Sequence, residues 1–255
     1  LIQKGLEDYL EIKRLSFPRF FFLSNDELLE ILSQTKDPRA VQPFLGKCYE
    51  GVNKVVFRGD TTGQPEDVTI THMVSAEKEK VEMCETINPN EGKLRGNVEM
   101  WLNELQRIMR WTMKDIVIRS LKDYTETPRT EWVLKWPGQV VLNVGQVFWT
   151  QDVTEGFKTK GVEGIKEYLE VLNEQLNGIV QLVRGKLTKM GKKTLGALCV
   201  IDVHSRDVVA DMVKAGCNRP DDFEWMAQLR YYWENHPDAY NRYGDNPMNM
   251  MARII

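Results

Sequence analysis

The segment Gly185-Lys186-Leu187-Thr188-Lys189-Met190-Gly191-Lys192-Lys193-Thr194 is the nearest approach in this sequence to a phosphate site. A phosphate-binding loop has the form GxxxxGK followed by Ser or Thr. Backbone amides wrap the phosphates, and the hydroxyl reaches Mg²⁺. Here five residues separate the glycines instead of four, and Lys193 takes the place the hydroxyl needs. A helical pattern leads in, not a strand, so the segment reads as a solvated basic loop between helices. Metal ligation fares no better: His72, His204 and His236 lie far apart and form no HxxxH or CxxH pair. Asp202 and Arg206, four apart on an expected helix, suit an ion pair rather than acid–base work. Asp115 and Asp123, two turns apart, read as solvated positions. A serine or cysteine nucleophile needs a base beside it, and no Gly-x-Ser-x-Gly turn displays one. The sequence names no catalytic, cofactor-binding or metal-binding residue.

Composition bounds the rest. With 34 basic and 37 acidic residues in 255, the net charge is −3 and the signs are interleaved, which argues against nucleic-acid and membrane-surface partners. Cys48, Cys84, Cys199 and Cys217 are scattered without a CxxC pair and read as free thiols. No apolar run approaches the roughly 18 residues of a membrane span. The opening Leu1-Ile2-Gln3-Lys4-Gly5 and the apolar close Met251-Ala252-Arg253-Ile254-Ile255 read as cuts through a longer polypeptide.

The elements that would position any of these groups are mostly helices. Leu6 to Leu15 ends a helix that Phe17-Pro18 breaks. Ser24-Asn25-Asp26-Glu27 is a capping box opening a helix that carries Leu28, Leu29 and Leu32. Asp37-Pro38 opens another, to about Tyr49. Lys54 to Phe57, Asp67 to Val74 and Lys80 to Cys84 read as a small three-stranded antiparallel sheet. Asn97 to Tyr124 is the longest helical pattern, about 42 Å at 1.5 Å per residue. Pro137 suits a first helical position, with Val141, Val144 and Phe148 on the face that follows. Val162, Ile165, Leu169, Leu172, Leu176, Ile179 and Val183 step by three and four in a heptad seam. Lys186 to Lys193 reads as a helix–helix loop, and Leu195 to Val213 as a further helix. Asp221 to Met226 looks helical, and Gln228 to Trp233 fits helix or strand. The seven tryptophans read as fillers between crossed helices rather than a partner face. The fold class is therefore mainly α: elongated antiparallel helical bundles with a small antiparallel β insert at about residues 53–86.

Several blocks carry a family resemblance. Gly5-Leu6-Glu7-Asp8-Tyr9-Leu10-Glu11, then Arg14 through Ser33, resemble the linker signature of dynein heavy chains of the axonemal type. So do Trp136-Pro137-Gly138-Gln139-Val140-Val141 and Phe148-Trp149-Thr150. Val183-Arg184-Gly185-Lys186-Leu187, Thr194-Leu195-Gly196-Ala197-Leu198, Val203-His204-Ser205-Arg206-Asp207-Val208-Val209 and Gln228-Leu229-Arg230-Tyr231-Tyr232-Trp233 follow in family order. The resemblance implies the C-terminal half of the linker, N-terminal to the first AAA+ module. It divides as helical 1–50, β insert 53–86, helical bundle 97–228 and a junction toward the AAA+ ring at 229–255.

The implied function is mechanical and non-catalytic. The segment bends and straightens over the ring to pass on the power stroke of a minus-end-directed microtubule motor of cilia and flagella. ATP and Mg belong to the ring of the parent chain, an ATPase, and no cofactor to this segment. The implied partners are the ring of the same heavy chain and, indirectly, microtubules and other axonemal dynein subunits; the implied place is the cytoskeleton of the axoneme. The stiffness of the seams confines bending to a weakly packed junction, expected near or upstream of Phe17-Pro18. The alternatives are a stand-alone helical scaffold that binds protein partners and an enzyme built from dispersed carboxylates.

Overall fold

The computed structural model of the protein describes residues 2–34, 36–235 and 250–254. The chain forms two compact units, Leu1–Lys114 and Asp115–Ile255.

In the first unit, α1 (Ile2–Ser16) stops where Phe17 takes an extended backbone ahead of Pro18. A 3₁₀ turn, Pro18–Phe22, follows. Phe17, Phe20 and Leu23 turn inward and are buried, while Phe21 and Phe22 face out. Phe17 meets Phe20 edge-on at 4.9 Å and Tyr49 at 6.1 Å. The break itself is thus well packed, while α1 upstream of it is largely exposed. Opening this break means exposing aromatic core, so it opposes bending at Phe17-Pro18 itself. α2 (Asn25–Ser33) begins with both halves of the expected capping box: the Glu27 amide donates to Ser24 Oγ, and the Ser24 amide to the Glu27 carboxylate. Asp37 caps a short turn, Pro38–Val41, that runs into α3 (Gln42–Cys48).

The expected sheet is present, as β1 (Lys54–Phe57), β2 (Ile70–Val74) and β3 (Lys80–Ile87), antiparallel in that order. A one-turn helix, α4 (Arg58–Thr62), interrupts after β1. β2 starts later than the β-rich run suggests, because the Asp67 carboxylate accepts the Thr69 amide and spends that stretch on a turn. Gly59 is obligatory there: a Cβ on it would lie 2.2 Å from the Gln64 carbonyl oxygen. The division between the units falls within α5 (Val98–Glu126), 29 residues long.

The second unit adds α6 (Arg129–Lys135), which the sequence pattern does not reveal, and then three long helices: α7 (Gly138–Lys160), α8 (Val162–Arg184) and α9 (Lys189–Ala215). Pro137 is the N-cap of α7 rather than its first residue. One residue, Gly161, joins α7 to α8, and four, Gly185 to Thr188, join α8 to α9. Connections this short fold the helices back on one another as a bundle. α9 starts inside the expected basic loop, because Thr188 caps it by accepting the Gly191 amide at 3.0 Å. α10 (Phe223–Met226) precedes a two-stranded antiparallel ribbon, β4 (Tyr231–Asn235) with β5 (Met250–Ile254). That ribbon resolves the helix-or-strand ambiguity at Gln228 to Trp233 in favour of a strand. The pairing partner lies outside any local window, which is why local pattern left it open.

Along α8 the heptad seam is real but graded. Ile165, Leu172 and Ile179 are buried, Val162, Leu169 and Leu176 half-buried, and Val183 exposed at the end. The α7–α8 approach is tight because two glycines meet: a Cβ on Gly164 would lie 2.2 Å from the Gly156 carbonyl oxygen. Gly161 turns the corner with φ 58°, ψ −134°, beyond easy reach of an L side chain. Backbone cannot step aside as a side chain can, so Gly164→Ala is expected to cost about 2–3 kcal/mol. The check is a lower urea midpoint at unchanged slope; an unchanged midpoint would mean the two backbones part freely.

Candidate functional site

The residues singled out for chemistry are placed apart, and most are absorbed by structure. Gly185 ends α8, Thr188 caps α9, and Gly191 to Thr194 lie within α9, so the glycine-lysine run does not form a loop around an anion. His72 sits on β2 beside the Thr71 hydroxyl, 2.8 Å away, and burial lowers its pKa. His204 is exposed on α9, and His236 lies outside the described residues. Among the described residues, no three His, Cys, Asp or Glu side chains converge as a metal site would need, and no helix is long and apolar enough to cross a membrane. All four cysteines are free thiols.

Two acidic residues take roles that the sequence pattern missed. Asp202 does not pair with Arg206, which turns to Asp207 at 2.7 Å. It forms a two-pronged pair with Arg129 of α6, at 2.8 and 2.9 Å, with side chains only 13% and 14% exposed. Asp123 is not a solvated position either. Its carboxylate accepts from Thr127 Oγ1 (2.9 Å), Lys135 Nζ (2.7 Å) and Trp136 Nε1 (2.7 Å). The Lys135 ammonium is the main reason its pKa is lowered. Through these contacts α6 is tied to α5 at one end and to α9 at the other. The signal is invisible locally because the partners stand 12, 13 and 73 residues away.

The tryptophans chiefly fill gaps. Trp101, Trp132, Trp149 and Trp225 are buried, and Trp111, Trp136 and Trp233 half-buried. Around Trp132 the rings form a series: it meets Tyr124 edge-on at 4.9 Å, and Tyr124 stacks on Phe148 at 4.0 Å. Trp225, on α10, is fully buried as a wedge between Trp149 (5.1 Å) and Phe157 (6.4 Å) of α7.

This wedge leads to the best candidate for a functional part of the unit, the anchorage of β4 on α7. Arg230, 7% exposed, lays its guanidinium over Trp225 on one side and Tyr232 on the other, 5.9 Å from each ring. The next residue, Tyr231, donates its backbone amide to Thr150 Oγ1 of α7 at 3.1 Å. That hydroxyl in turn donates to the Gln146 carbonyl at 2.8 Å, so it is held in one orientation. An open cleft of about 240 Å³ runs beside the contact, between Gln151, Thr154 and Lys158 of α7 and Tyr231, Tyr232 and Trp233 of β4. Chemically the arrangement holds rather than reacts. It joins β4 to the middle of a long helix through an aromatic wedge, a cation over two rings and one oriented hydroxyl.

The family described as dynein heavy chain, N-terminal region 2, matches residues 1–120. Axonemal dynein heavy chain 12 of Mus musculus is 52% identical over 233 residues, 91% of this chain and 7% of that protein. Axonemal dynein heavy chain 1 of Homo sapiens is 47% identical over 242 residues, 95% of this chain and 5% of that protein. Axonemal dynein heavy chain 3 of Mus musculus is 49% identical over 232 residues, 91% of this chain and 5% of that protein. The chain thus spans 5–7% of the length of these curated relatives.

Proposed function

Since the chain belongs to the dynein heavy-chain family, we propose that it is a non-catalytic mechanical segment of such a motor, the C-terminal half of its linker. Fuel is consumed elsewhere in the parent polypeptide, in an AAA+ ring that binds ATP and Mg²⁺, and this segment passes the resulting displacement on. Residues 1–228 form the lever and 229–255 its junction with the ring. Its partners are that ring and, through the whole motor, microtubules and other subunits of the ciliary or flagellar axoneme.

The observation that carries this reading is the tie between β4 and α7. A lever must be stiff, and helices seated on continuous apolar seams compress poorly. It must also be joined to its drive without slack. The Tyr231 amide on Thr150, beside the buried Trp225 wedge, connects the outgoing strand to the bundle at its centre rather than at a fraying end. The buried Arg230 guanidinium between the two rings adds resistance to twisting at the same place.

The test combines, in the full-length heavy chain, Thr150→Val and Arg230→Ala, which remove the acceptor of the Tyr231 amide and the cation over Trp225, with about ten Gly and Ser residues, which behave as flexible coil, inserted between Gln228 and Leu229, so that neither these contacts nor the connecting backbone carries load. ATP turnover should persist while microtubule gliding stops. Gliding at the unmodified speed would mean that force does not pass through this junction.

A further inference from the structure

The turn from α8 to α9 carries a charge pattern unlike the rest of the molecule. Arg184, Lys186, Lys189, Lys192 and Lys193 are all exposed, and none makes an ion pair or side-chain hydrogen bond among the described residues. No acidic residue occurs between Glu174 and Asp202. These five cations come from the chain's 34, leaving 29 basic against 37 acidic residues elsewhere. A chain of net charge −3 therefore has one strongly positive corner. Three of its lysines lie in the first two turns of α9, where the helix dipole disfavours positive charge and acidic residues are the stabilising choice. Folding does not require them there.

The corner continues into an apolar face. On α9 the outward positions 189, 193, 196, 200, 203 and 207 are all exposed and recur at helical spacing. After the lysines they present Gly196, with open space above it, then Val200, 71% exposed, and Val203. Leu134 of α6, also exposed, comes within 3.8 Å of where a Gly191 side chain would begin, so it borders the same corner.

We propose that this surface docks an amphipathic helical polypeptide segment, with a cluster of glutamates or aspartates against Lys186, Lys189, Lys192 and Lys193 and small apolar side chains along Val200 and Val203. Charge complementarity selects an acidic occupant, and the smooth ridge suits a helix laid along it. Residues 184–194 include no aromatic side chain to stack bases, and ridge positions 196, 200 and 203 carry nothing larger than valine to anchor in a lipid interface. The inference stands whether or not the segment transmits force.

The test places the photoreactive residue benzoylphenylalanine at Val200 of the full-length heavy chain. The probe is a synthetic amphipathic helical peptide with a glutamate-rich end and an alanine–leucine face. Cross-linking at position 200 should saturate and weaken with salt. It should fall about tenfold when the four lysines become glutamine, the sum of four exposed charge pairs, and persist when they become arginine. Both sets alter only exposed side chains, and the arginine set shows that the helix survives substitution. A probe with glutamine in place of glutamate that cross-links equally well would overturn the proposal. So would a glutamine set that leaves the yield unchanged, or oligo-dT or phosphatidylserine vesicles that displace the probe better than its own unlabelled copy.

Discussion

Trp225→Ala is expected to cost about 3–5 kcal/mol, the range for deleting a buried aromatic and leaving its cavity. The indole is fully buried and touches Trp149, Phe157 and the Arg230 guanidinium. Its removal takes the wedge from beneath the β4 anchorage. Arg230 then keeps only Tyr232 as a ring partner, and the buried cation loses half of what compensates it. Loss of stability should be accompanied by loss of attachment: amide exchange at Tyr231, normally protected by Thr150, should rise well before α8 and α9 open. Trp225→Phe keeps most of the apolar contact and should cost clearly less. Beyond some ring volume it gives up only an indole N–H that has no hydrogen-bond partner. Equal effects for alanine and phenylalanine would contradict the role of ring volume.

The second large effect concerns the pair between α6 and α9. Arg129→Ala should cost about 3–5 kcal/mol, because it leaves the Asp202 carboxylate in a largely buried place without its cation. Asp202→Ala should cost a similar amount for the mirror reason, with Arg129 stranded. The double variant Arg129→Met with Asp202→Leu removes both charges and fills the space. It should recover most of the loss, since a buried ion pair is worth little more than well-packed apolar groups. Urea unfolding of the two single variants and the double closes the cycle. Additive losses would mean that the two groups act independently, despite bonds of 2.8 and 2.9 Å.

Elements whose cause is local were legible without coordinates. The Ser24–Glu27 box, the break at Phe17-Pro18, the three strands of the insert and the α8 seam all follow from neighbours within a few positions. What escaped depends on partners far along the chain. Asp202 reaches across 73 residues to Arg129, past the nearer Arg206 that helical spacing suggested. Asp123 gathers Lys135 from the end of α6 and Trp136 just beyond it, and α6 is too short to show a period. Gly156 and Gly164 look like weak points in helices by propensity, and only the α7–α8 crossing shows that Gly164 has no room for a side chain and Gly156 little. The anchorage followed the same rule. Gln228 to Trp233 stood out as a family block, yet the acceptor of its Tyr231 amide, Thr150 of α7, lies 81 residues earlier.

If displacement leaves the bundle through the β4–α7 tie, its stiffness is what the motor needs from these residues. Single full-length heavy chains in an optical trap measure that directly, compared with chains that combine Thr150→Val and Arg230→Ala, which cut the tie, with the flexible insertion between Gln228 and Leu229. The expected result is ATP turnover at the unmodified rate with the displacement per ATP collapsed toward zero. An undiminished displacement from the chain carrying the insertion would contradict it.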